Sequence, residues 1–148
     1  MALLDHLGIY KCLLVGSCIG PSYSFALMQA APERFPAALM LQPVGLSKHT
    51  DEEETWEGLN RAATSHWYGF DREFSAEEMA RLQDQMFTDK DFVFSVSRDF
   101  VRTLPTPLLV LSGTDAFHPS GTSKEIVRHR IIAEIIEVAE IIEATQPR

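Results

Sequence analysis

Cys12-Leu13-Leu14-Val15-Gly16-Ser17-Cys18-Ile19-Gly20 decides how this chain is read. An apolar run ends in Gly-x-Cys-x-Gly, the pattern of a sharp strand-to-helix corner. Glycines on either side let the backbone pass close, so the central side chain projects from the top of a sheet. That central residue is Cys18. Ser17, one position earlier, points sideways into the structure and suits an ordinary hydrogen-bonding role.

Outward from the corner, Ile9 to Val15 reads as a buried strand. Pro21 sits at a favoured first-turn position for a helix running to about Ala31, before Pro32. Upstream, Ala2 to Leu7 reads as the last turns of a helix capped by Gly8. Downstream, Ala37 to Leu41 and Pro107 to Leu111 are short apolar runs closed by Pro43 and Gly113, as parallel strands buried on both faces would be. The predicted fold class is α/β, a short parallel sheet flanked by helices.

Between 47 and 104 the character changes to helices with charged faces. Thr50-x-x-Glu53 and Ser75-x-x-Glu78 are capping boxes, in which the hydroxyl takes an amide proton and the glutamate reaches back. Trp56, Leu59 and Ala63 follow the first at helical spacing, and Met79, Leu82 and Met86 follow the second. Phe92, Val96 and Phe100 make a further i, i+4, i+8 stripe. With no internal repeat or low-complexity linker, 47–104 reads as a helical lid within a single domain spanning 1–148. Ser120 opens another helix. For 131–143 the isoleucines tolerate either a continued helix or a final strand, and periodicity does not choose.

Composition narrows the function classes. A chain of 148 residues with 45% apolar content fits one globular domain, and a net charge of -8 argues against a polyanion partner, since nucleic-acid binding needs clustered Lys and Arg. No apolar run approaches the roughly 20 residues that cross a bilayer, and no basic-then-apolar leader opens the chain, so a cytoplasmic location is expected. Two cysteines, Cys12 and Cys18, are too few for a disulfide framework and are expected to be reduced.

The order strand, Gly-x-Cys-x-Gly, helix, strand, helical segment, strand and Gly113-Thr114-Asp115 resembles the α/β-hydrolase superfamily, from Leu3 to about Ile136. The segments that carry the resemblance are LLDHLGIYKCLLVGSCIG, APERFPAALMLQP and TPLLVLSGTDAFHP. The resemblance implies a partial α/β-hydrolase fold, its C-terminal part, incomplete on the N-terminal side. It puts Cys18 at the nucleophile, Ile19 at the position whose amide contributes to an oxyanion hole, and Asp115 at the acid that orients a histidine. The implied reaction is acyl transfer to water, cleaving an ester-like bond of a small-molecule substrate through a covalent intermediate. Serine is the usual nucleophile, but dienelactone hydrolases use cysteine there, and the amides at the start of the following helix favour both a thiolate and a developing oxyanion.

The family's histidine lies on a loop near the C-terminus, yet no histidine follows His129. His118, three residues after Asp115, is the candidate, at a spacing unlike the family's. His129 sits between Arg128 and Arg130 in a predicted helix, and His6, His49 and His66 match no family position. Asp115 with His118 lacks further ligands at a recognisable spacing, so no metal and no cofactor is predicted. Tyr23, Phe25, Trp56, Trp67, Phe70 and Phe100 suit an acyl pocket or, more simply, a core. Without the family's earlier strands the sheet would present an open edge, predicting a homodimer or a partner chain there. The alternative to an enzyme is therefore a non-catalytic hydrolase-fold protein that binds a ligand or partner through its lid and sheet edge.

Overall fold

The computed structural model describes residues 1–45, 75–87, 91–115, 117–128 and 133–137. Four strands, β1 (Leu14–Ser17), β2 (Ala38–Leu41), β3 (Leu108–Ser112) and β4 (Ala133–Glu137), form one sheet in sequence order, every pair parallel. Parallel neighbours require crossover connections, and helices supply them. Among the described residues these helices are α1 (Ala2–His6), α2 (Gly20–Ala30), α3 (Ala76–Phe87), α4 (Arg98–Thr103) and α5 (Ser120–Arg128), with a single 3₁₀ turn at Pro32–Arg34.

Local sequence accounts for several boundaries. α1 ends in a Schellman motif: Gly8 takes a left-handed φ of 68°, its amide donates to the Asp5 carbonyl, and the Ile9 amide donates to the Leu4 carbonyl. α2 carries its proline in the first turn. The capping box at α3 is formed, with the Glu78 amide donating to Ser75 Oγ and the Ser75 amide donating to Glu78 Oε2. That amide, then the Ser75 hydroxyl, holds the Glu78 carboxyl below its ordinary range. The Thr50–Glu53 box and the stripe from Trp56 to Ala63 lie outside the described residues.

Three expectations are corrected or decided. β1 begins at Leu14 rather than Ile9, because β2 runs beside it only from Ala38 and the Ile9 and Tyr10 carbonyls are taken by Arg34. Phe92, Val96 and Phe100 do not share one helix. Phe94 adopts a left-handed φ of 63°, Ser97 is extended and caps α4 by accepting the Phe100 amide proton, and the helix starts only at Arg98. The open question at 131–143 resolves to a strand over Ala133–Glu137, since β3 offers a parallel edge in register from Leu108↔Ala133 to Ser112↔Glu137.

The core lies on one face of the sheet. Ala38, Met40, Leu108 and Val110 meet Phe25 and Met28 of α2 and Ile126 of α5, and Phe92, Val93, Val96, Val101 and Leu104 join the same cluster. The 91–104 segment thus shares the sheet's core. Arg98 closes its edge, paired with buried Glu125 and lying over the Phe92 ring.

Among the described residues, Arg34 is a buried cation that sequence reading passes over. Its guanidinium donates from Nε to the Tyr10 carbonyl at 3.0 Å and from Nη2 to the Ile9 carbonyl at 2.7 Å, and it pairs with Asp5, so it fastens α1 to the entrance of β1. Arg34→Met keeps the stem but strands two carbonyls, and about 2 kcal/mol of stability is expected to be lost. Urea unfolding of the variant checks this.

Candidate active site

The corner after β1 has the geometry that its glycines imply. Cys18 sits at φ 59°, in the left-handed region where a non-glycine residue is uncommon, and its amide donates to the Leu41 carbonyl at 3.0 Å, tying the turn to β2. Gly16 is closely covered: a Cβ there would stand 2.6 Å from the Gly20 carbonyl carbon and 2.7 Å from the Pro21 nitrogen. Only hydrogen fits. Gly20, by contrast, faces open space.

Ile19 is the N-cap residue of α2 and no side chain caps this end. Helix starts leave their first amides without intrahelical partners, Pro21 has no N–H, and Ser22 already donates to the Ile19 carbonyl. Among the described residues nothing accepts from the Ile19 amide, so it remains available to an anion beside Cys18.

Because all four strands are parallel, the exits of β1 and β3 open on the same sheet edge, where ligands of open α/β sheets bind. Cys18 follows the first exit and Asp115 the second, with β2 between them, so two strand spacings of about 4.8 Å separate the two exits. The loop after β3 folds back over Gly113. His118 donates its backbone amide to Asp115 Oδ1 at 2.8 Å, and its Nδ1 lies 3.0 and 3.1 Å from the two Asp115 oxygens. The His118 side-chain hydrogen bond is the main reason the Asp115 carboxyl is held below its ordinary range; slight burial opposes it, and the His118 and Phe117 amides and the His118 charge add to it. The Asp115 side chain is 56% exposed and that of His118 only 19%.

The structure therefore brings Cys18, Ile19, Asp115 and His118 to one edge and joins the last two directly. It does not join the pair to the thiol: among the described residues no imidazole hydrogen-bonds to Cys18 Sγ. His6 lies in α1, while His49, His66, His129, Trp56, Trp67 and Phe70 lie outside the described residues. Among the described residues no group of three or more His, Cys, Asp or Glu could hold a metal ion, and no helix is long and apolar enough to cross a membrane.

One residue at this edge escaped sequence reading. Gln42, directly after β2 and thus between the other two exits, is left-handed at φ 49° with its amide donating to the Leu111 carbonyl. The available signal was a polar residue between a buried strand and a proline.

No family model and no curated protein matches this sequence. Solved structures do match. A meta-cleavage product hydrolase from Pseudomonas fluorescens superposes with a TM-score of 0.59 at 18% identity over 96% of this chain and 64% of its own. Est816, an enzyme that degrades N-acyl homoserine lactones, gives 0.62 at 20% identity, over 93% of this chain and 62% of its own. A Mycobacterium tuberculosis protein described as a candidate non-heme bromoperoxidase gives 0.65 at 17%, over 97% of this chain and 66% of its own. The chain spans less than two thirds of each of these proteins. Likeness at such identities speaks for the fold, and together with the left-handed corner it shows that this chain carries part of an α/β-hydrolase fold, with cysteine at the elbow position.

Proposed function

We propose that this chain is a cysteine-dependent acyl hydrolase acting on small ester-like substrates in the cytoplasm, with 47–104 as its lid. The observation that carries the reading is Cys18 at φ 59° between the half-exposed β1 and an uncapped helix start. In the proposed reaction, Cys18 Sγ attacks the substrate carbonyl carbon while the Ile19 amide donates to the developing oxyanion. His118, its Nδ1 occupied by Asp115, has Nε2 left for proton transfer. It takes the thiol proton and gives it to the leaving alkoxide; it then draws a proton from the water that attacks the thioester, releasing the acid and regenerating the thiol.

The decisive experiment combines p-nitrophenyl ester hydrolysis with iodoacetamide labelling at mildly acidic pH, read by intact mass. Wild type is expected to hydrolyse the ester and to label at Cys18 faster than a free thiol. Cys18→Ala should fall to background, and His118→Gln should lose on the order of 10²- to 10⁴-fold. Equal hydrolysis by wild type and Cys18→Ala, with ordinary labelling, would refute the enzyme.

That outcome would favour the second reading, a non-catalytic hydrolase-fold chain that binds a ligand or partner. Its support is the lack, among the described residues, of an imidazole bonded to Cys18 Sγ.

A further inference from the structure

Two hydrogen bonds around one peptide unit fix Gln42 beside the thiol. The Leu41 carbonyl accepts the Cys18 amide proton at 3.0 Å, and on the far side the Gln42 amide donates to the Leu111 carbonyl at 2.8 Å. The Leu41–Gln42 peptide is thus held from both neighbouring strands. β1 and β2 run in register up to Ser17↔Leu41, so Cys18 and Gln42 leave adjacent strands side by side, about 4.8 Å apart. Both are left-handed, at φ 59° and 49°. Glycine takes that conformation at no steric cost. A half-buried glutamine held there, at the edge where ligands of open α/β sheets bind, is the kind of backbone outlier that gathers at functional sites.

The order of groups along this edge decides what lies over Gln42. Across the sheet the strand exits follow as Cys18, Gln42 and Asp115, and His118 is bonded to Asp115. The oxyanion goes to the Ile19 amide at the start of α2. The alkoxide that His118 protonates therefore departs on the β2 side of Cys18, between thiol and imidazole, and its carbon chain passes over Gln42. A carboxamide both donates and accepts, so it matches a group that does the same. Asp115 nearby, in a chain of net charge -8, disfavours a carboxylate there and leaves a neutral hydroxyl as the better fit.

We infer that Gln42 is a specificity-determining residue, its carboxamide hydrogen-bonding a hydroxyl on the alcohol portion of the ester, so that the preferred substrates are esters of polyhydric rather than plain alkyl alcohols. The assignment rests on the hydrolase reading of Cys18 and narrows it to a substrate class. A site arranged to bond a hydroxyl rejects the analogue that lacks it, because the site's own polar group is then left without a partner.

Acetate release by the full chain from 2-hydroxyethyl acetate and from propyl acetate, which differ by a hydroxyl in place of a methyl, tests this. Each kcat/KM is divided by that ester's own rate with hydroxide. Wild type is expected to favour the hydroxylated ester by at least about tenfold, and Gln42→Met, of similar length but without the carboxamide, should bring the ratio to within about twofold of unity. The ratio is internal to each protein, so a loss of folded enzyme cancels from it, and the wild-type preference is read without any variant. A wild type that cleaves an ester through Cys18 without favouring the hydroxylated one overturns this inference alone, and so does a preference that Gln42→Met keeps. A wild type that cleaves no ester overturns the enzyme reading and this inference with it.

Discussion

Gly16→Ala is expected to lower the free energy of unfolding by about 3 kcal/mol or more, whereas Gly20→Ala should leave it unchanged or raise it slightly. Both residues belong to the same pentapeptide, so the contrast separates what the motif needs from what it merely contains. At Gly16 a new Cβ would stand 2.6, 2.7 and 2.9 Å from the Gly20 carbonyl carbon, the Pro21 nitrogen and the Gly20 oxygen. These are backbone atoms of the first turn of α2, which cannot swing aside as a side chain can. Relief would require α2 to move off β1, opening the contact of Phe25 and Met28 with the core. At Gly20 nothing lies within 4 Å, and alanine is the better helix former. Urea unfolding of the two variants decides the matter; similar losses in both would mean that the corner does not close in this way.

The second large effect is expected at Gly113. A Cβ there would fall on the carbonyl oxygen and the Cβ of His118, so Gly113→Ala must push the loop away from the end of β3. The loop is a surface turn and yields more readily than the elbow, so the cost in stability should be about 1–3 kcal/mol. The functional cost should be larger. Moving His118 by about 1 Å breaks its bonds to Asp115, and misplacement on that scale costs about 10²-fold in rate. Ester hydrolysis and thermal unfolding of Gly113→Ala measure the two separately, and a variant that lost stability but kept its rate would remove His118 from the proposed mechanism.

The same pair has a pH signature. The folded Asp115 carboxyl is depressed mainly by the His118 side-chain hydrogen bond. The stabilisation it supplies is therefore present above the unfolded aspartate value of about 3.9 and is lost as pH falls through the lower folded value. Since the carboxylate is more than half exposed, solvent screening keeps the effect small. Asp115→Asn should thus be slightly less stable than wild type near neutrality, and the two should converge in acid.

What could be read from the residues was local. Gly8 as a helix stop, Ser75 with Glu78 as a helix start, and Gly16 to Gly20 as a corner each depend on a few neighbouring backbone groups, and the structure shows all three. Phe92, Val96 and Phe100 show the limit of periodicity. Helical spacing put them on one face, yet Phe92 and Val96 are buried from a non-helical segment, because Phe94 turns left-handed and Ser97 caps a later start. Gln42 and Arg34 were passed over because what matters at each, a left-handed strand exit and two distant carbonyls, is set by chain segments far away in sequence.

By itself the sequence determined the α/β class, the elbow with Cys18 at its centre, and the placing of Asp115 after a buried strand, since each follows from patterns only a few residues long. Tertiary structure alone decided that Ala133–Glu137 is a strand and that Asp115 holds His118. The physical reason is common to both. A strand is stabilised by bonds to its neighbour rather than within itself, so the fate of Ala133–Glu137 depends on which partner lies beside it. The imidazole, likewise, meets its carboxylate only once Gly113 lets the loop fold back.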